Sequence, residues 1–159
     1  MTRTSKSKPP TARRAARISA VQALYQMDIA KADANVVIRQ FETVVEEGGG
    51  DEDFAIEAAD KTFFAELVRG VVRLQRTIDQ EVDKQLADGW RLARVDSTVR
   101  QILRAALYEL IDRPDVPAKV VINEYVDLSK EFFDQEEPRV INGVLDQLAK
   151  KHRPGELSN

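Results

Sequence analysis

The chain has no cysteine and a single histidine among its 159 residues. Disulfides, thiolate metal centres and cysteine nucleophiles are excluded outright. A Ser-His-Asp arrangement would have one candidate base and a histidine metal site one candidate ligand, which leaves carboxylates as the only plentiful ligating groups. No catalytic set, metal or cofactor is expected, and the chain reads as a non-enzyme. No apolar run approaches the roughly 18 residues of a membrane span, so a soluble protein is expected. Glycine and proline are scarce, at 7 and 6 residues, while 43% of the chain is hydrophobic and 32% charged, a balance that excludes collagen-like and disordered chains. The length suits one domain, or two small helical units that share a core.

The net charge of -3 conceals a segregated distribution. Residues 1 to 27 carry six bases (Arg3, Lys6, Lys8, Arg13, Arg14 and Arg17) and no acid, whereas residues 42 to 60 carry eight acids and no base. Such separation can hold a polyanion at one end and repel it from the other, although a basic tail beside a solvated acidic loop gives the same pattern. Gln22, Gln26 and Asp28 interrupt the apolar stretch that a secretory signal needs. A mitochondrial transit peptide would share this composition, but the helical periodicity begins inside the basic stretch and continues past it. A cytoplasmic location is expected.

The prolines stand at positions 9, 10, 114, 117, 138 and 154, so residues 11 to 113 can be helical over long stretches. A first helix over about 12–31 places Ile18, Val21, Tyr25 and Ile29 on one face. Asn35 is a candidate cap for a second helix ending before Gly48-Gly49-Gly50. A third segment, about 53–87, is long enough that a break or bend near Gly70 is expected. The clearest pattern runs from Val99 to Ile111 behind a candidate cap at Asp96. Pro117 suits the first turn of a fifth helix with Val121, Tyr125, Leu128 and Phe132 on its apolar side, and Pro138 opens a sixth. The expected fold is all-α: six to seven helices in two antiparallel bundles packed together, about 12–88 and 96–152, within a single domain 12–159 behind a flexible basic arm 1–11.

Few residues suggest chemistry. The acidic run around Gly48-Gly49-Gly50 lacks the ligand spacing of a calcium loop, and its charge would repel phosphate. His152, within Lys150-Lys151-His152-Arg153, suits a cation cluster at a helix C-terminus. Asn123 and Asn142-Gly143 lie beside apolar stripes, where a buried hydrogen bond and a close helix crossing are expected. The basic start is the strongest functional feature. Arg13 and Arg17 are one helical turn apart with Arg14 beside them, a clamp for phosphates, and Tyr25 on the same helix could stack a base. Arg91, Arg94, Arg100 and Arg104 form a second basic group, able to extend that surface, to make internal salt bridges, or to face a DNA groove from a helix-turn-helix.

The stretches RRAARISAVQALYQ (13–26), ILRAALYEL (102–110), VPAKVVINEYVDLSKEF (116–132) and RVINGVLDQLAKKHRP (139–154) resemble the NusB family of bacterial transcription antitermination factors. The likeness covers nearly the whole chain in order. It implies a non-enzymatic RNA-binding protein that pairs with the ribosomal protein NusE, binds boxA single-stranded RNA and joins an RNA polymerase antitermination complex supporting ribosomal RNA transcription. By motif, Arg13, Arg14 and Arg17 match the family's arginine-rich RNA-binding start, Tyr25 its exposed aromatic, and Phe132 and Arg139 the second part of the RNA surface. Val140 departs from the pattern, since some members carry a Phe there, and Gly48 to Gly50 resembles an insertion. A NusB-like module of another RNA-processing system, such as the domain attached to certain RNA cytosine methyltransferases, is the related alternative, although no catalytic Cys is present. Family resemblance leaves open a homodimer that covers the basic surface.

Overall fold

A computed structural model describes residues 12–46, 60–86, 91–92 and 95–157. The arm 1–11, the glycine loop at 48–50 and most of the expected seam near Gly89 lie outside them. Six helices follow in order: α1 (Ala12–Ala30), α2 (Ala34–Glu46), α3 (Lys61–Gln85), α4 (Ser97–Asp112), α5 (Ala118–Ser129) and α6 (Glu136–His152). No strand occurs among the described residues.

Local chemistry sets most of the boundaries. α1 is rich in alanine and ends at Lys31, which takes a left-handed φ of 56° that a helix cannot continue. The cap of α2 is Asp33 rather than Asn35: its Oδ2 accepts the Asn35 backbone N–H at 3.0 Å. Asp96 caps α4 as its position suggests, accepting the Thr98 N–H at 2.7 Å. Pro117 sits one residue ahead of α5 and lends its carbonyl to Val121 N–H, while Pro138 lies in the first turn of α6, where a missing N–H costs nothing.

α3 runs unbroken through Gly70, about 37 Å for its 25 residues. The expected break is absent because Gly70 serves close packing instead. A Cβ there would stand 2.1 Å from Cε1 of Tyr108, so α3 and α4 meet over a glycine. The Tyr108 hydroxyl then donates to Glu66 at 2.7 Å.

α4 is the axle of the fold. It packs against α1, α3, α5 and α6, and residues Val99 and 101–110 are all buried. One hydrophobic cluster, including Phe64, Leu67, Ile102, Leu107, Leu128 and Leu145, runs through both halves of the chain. Burial on this scale corrects the helix-turn-helix alternative, since a helix enclosed on every side cannot enter a DNA groove. Two of the second basic group make internal pairs: Arg104 grips both oxygens of Asp79 at 2.9 Å, and Arg100 reaches Asp28 at 2.5 Å, whereas Arg91 is exposed and Arg94 lies outside the described residues.

The C-terminus locks the axle in place. Buried Arg153 donates to the carbonyls of Glu109, Leu110, Arg113 and Val116 at 2.8 to 3.2 Å, adding a second donor to those of Glu109 and Arg113, which already accept from backbone N–H groups. His152 and Lys151 join Glu81 of α3 at 2.6 and 3.2 Å, so the expected cation cluster is divided between a buried clamp and a half-exposed bridge. No helix among the described residues is long and apolar enough to cross a membrane.

Candidate nucleic-acid interface

The three arginines that open α1 have three different fates, because successive residues on a helix point about 100° apart. Arg13 is exposed, with its guanidinium carbon 5.2 Å from the centre of the Phe63 ring. No ion pair engages it among the described residues. Arg14 turns toward α5 and lies 3.3 Å from Asp127 and 3.6 Å from Glu124. Arg17 is only 4% exposed and donates from Nε and Nη2 to Glu109 at 2.8 and 3.0 Å.

The placement of Arg17 departs from the phosphate clamp expected of it. Its fork is filled by a carboxylate that is itself fully buried, and the rings of Phe63 and Tyr125 cover the guanidinium at 5.3 and 5.9 Å. Burial opposes its charge, but the Glu109 hydrogen bond and the adjoining negative charges outweigh it and hold its pKa above the usual arginine value. Tyr125, also buried, donates to Glu109 at 2.5 Å, and burial followed by the Glu109 charge raises its phenol well above the ordinary range. Glu124 lies 3.6 Å from both Arg14 and Arg17. Thus an ionic chain from Arg14 through Glu124 and Arg17 to Glu109 seats α1 on α4 and α5.

Further along α1 the surface becomes aromatic. Tyr25 (42% exposed) and Phe132 (38% exposed) lie 107 positions apart in the chain yet line one groove of about 420 Å³ with Val21, Gln22, Gln26 and Thr98. The turn after α5 delivers Phe132, held by N–H bonds from Phe132 and Phe133 to the Ser129 carbonyl. Arg14 and Tyr25 are separated by about 17 Å along α1, so a single extended strand could touch both.

Arg139 lies in the first turn and a half of α6, exposed, and no side-chain partner engages it among the described residues. It borders a second concavity, about 470 Å³, between α5 and the start of α6. Asn123 and Asn142 border it too, and both are exposed. The buried hydrogen bond expected of them is therefore corrected, as is the close crossing at Gly143, whose Cβ position meets nothing within 4 Å. Periodicity placed these residues next to apolar stripes but could not tell the stripe's edge from its centre. Gln22, Gln26 and Thr98 were equally silent, since a polar residue on a helix flank carries no signal until another element closes over it.

Arg14, Phe132 and Arg139 thus flank the C-terminal half of α5 and Tyr25 shares the groove of Phe132, while Arg13 lies around the helix toward Phe63 and Arg17 lies beneath. Fold and site together define an all-α protein bearing a mixed cationic and aromatic surface of the kind that suits single-stranded nucleic acid. The NusB family model matches residues 14–150, and the chain belongs to the NusB family. The transcription antitermination protein NusB of Caulobacter vibrioides is 51% identical over 144 residues, 89% of this chain and 94% of that protein. Its counterpart from Maricaulis maris is 49% identical over 145 residues, covering 91% and 90%. Among solved structures, T. maritima NusB superimposes with a TM-score of 0.74 at 28% identity over 89% of this chain and 93% of that one. A structure of antitermination factors NusB and NusE in complex with dsRNA gives a TM-score of 0.71 at 26% identity, covering 88% and 97%.

Proposed function

We propose that this chain is a non-enzymatic cytoplasmic antitermination factor that binds boxA-type single-stranded RNA together with NusE, within an RNA polymerase complex supporting ribosomal RNA transcription. The observation that carries the reading is the meeting of Tyr25 and Phe132 in one groove, in a member of the NusB family, with Arg14 about 17 Å away along α1 and Arg139 on the second concavity. A solved structure similar to this chain holds antitermination factors NusB and NusE in complex with dsRNA. Arg13, Arg14 and Arg139 contact phosphates, and Tyr25 and Phe132 stack on bases. Arg17 acts from below as a positioning residue, fixing α1 so that its two neighbours face outward.

The test is fluorescence anisotropy with a boxA-type RNA, a scrambled strand and a duplex, each with and without NusE. NusE should strengthen binding of the boxA strand well above the other two. Three phosphate contacts give a log–log salt slope of about -2, at roughly 0.7 per contact on a single strand. Tyr25→Ala should cost about 1 to 3 kcal/mol. A flat salt response, or equal affinity for the scrambled strand with NusE present, overturns the proposal.

A further inference from the structure

The concavity between α5 and α6 is a candidate site of which the phosphate and stacking contacts above use only Arg139. Asn123 enters from α5, Asn142 and Arg139 from α6, and Asp134 and Gln135 from the turn between them. Asp127 and Lys130 of α5 and its following turn also line it and pair with each other at 3.6 Å. Here Asp134 and Arg139 share one concavity without pairing, and among the described residues neither asparagine amide has a protein partner. At about 470 Å³ the space lies within the range of small-ligand pockets and is ample for one planar heterocycle.

Its chemistry narrows the occupant. Asparagine amides present a donor and an acceptor side by side and so match the edge of a base, and a carboxylate accepts from an exocyclic amine. Arg139 supplies the cation for an adjoining phosphate. Resting on the RNA-binding reading above, we propose that this concavity receives one unstacked base of the bound strand and selects an amino-bearing base (adenine, cytosine or guanine) over uracil. Adenine and cytosine offer N–H donors from an amine where uracil offers a carbonyl, and guanine does so from N1 and N2. Uracil has a single donor on that edge, N3–H, with a carbonyl on either side, so one of its oxygens would face the Asp134 carboxylate. The neighbouring stacking groove stays indifferent to base identity, because every base has a π-face.

The experiment uses the full chain with NusE and a set of boxA-type RNAs in which each amino-bearing position is replaced in turn by uridine. One position should lose on the order of tenfold in affinity on replacement, the worth of a good amide-to-base pair. In the Asn123→Ala/Asn142→Ala double variant that loss should shrink to less than twofold while the salt slope stays as in the parent. Asp134→Asn, which can donate to a uracil carbonyl, should narrow the preference as well. Both asparagines and Asp134 are exposed, so unchanged helical circular dichroism is expected of each variant. If the double variant keeps the full uridine penalty, or loses affinity equally for every RNA, the pocket assignment is wrong while RNA binding itself stands. If no RNA binds even at low salt, the RNA-binding reading falls and takes the pocket with it.

Discussion

Replacing Arg17 by alanine is the sharpest perturbation, because it separates a buried positioning group from a phosphate ligand. The guanidinium is 4% exposed, and the Glu109 carboxylate facing it at 2.8 Å is fully buried. Removing one partner of such a pair leaves an uncompensated charge in the interior, at a cost of about 3 to 5 kcal/mol. The Tyr125 hydroxyl would still donate to Glu109, which favours the lower part of that range. Against a total stability of roughly 5 to 15 kcal/mol for a domain, the variant stays folded but loses a large share of its margin. Urea unfolding followed by circular dichroism reads this directly as a lower midpoint at constant slope. A double cycle with Glu109→Gln should show strong coupling, since the second change removes the charge that the first one orphans. The RNA readout decides the role: once corrected for the folded fraction, Arg17→Ala should keep the parental salt slope, whereas Arg13→Ala should flatten it by about 0.7. A loss below about 1 kcal/mol, additive effects in the cycle, or a flattened slope for Arg17→Ala would each refute the buried-anchor account.

Asp127 lies 3.3 Å from Arg14 and 3.6 Å from Lys130, so it competes with RNA phosphate for both cations, and Asp127→Asn should tighten RNA binding by up to about fivefold at low salt. Unchanged affinity in an anisotropy titration would show that Arg14 takes no part. Gly70→Ala drives a methyl group into the Tyr108 ring, whose hydroxyl is tied to Glu66, and should destabilise by about 1 to 3 kcal/mol in urea. A neutral result would mean that the ring moves freely. For Glu81, burial pushes the pKa up, but hydrogen bonds from His152 and Lys151 outweigh it and leave the group below its usual 4.5. A depressed folded pKa means that the bridge contributes fully above 4.5 and is lost as the pH falls through the lower folded value. Thermal midpoints across that acid limb should therefore fall less steeply for Glu81→Gln than for the parent, and parallel curves would contradict the assignment.

The helices were legible because the chain states them twice, in apolar period and in punctuation. Val99 to Ile111 reads as one buried stripe, and prolines at 114, 117 and 138 mark the turns that follow. What period cannot express is which neighbour a residue meets. Arg14 and Arg17 look alike in the sequence, and their difference comes from Glu109, 92 positions beyond Arg17 on a helix that passes beneath α1. Tyr25 and Tyr125 both sit on helical stripes, yet one edges a groove and the other lies at 0% exposure, again because of what α4 brings. Gly70 read as a weak point for the same reason: the cost of glycine is local and visible, while the ring of Tyr108 that requires it is distant.

The enclosure of α4 also sets when the molecule becomes competent. The candidate RNA surface draws residues from 13 to 25 and from 123 to 142, and the group that anchors Arg17 beneath it is Glu109. A nascent chain that ends before α4 holds Arg17 without its carboxylate partner. One that ends before α6 lacks Arg139 and the Arg153 clamp on the axle. The candidate surface is therefore assembled only once α4 and α6 have both joined α1.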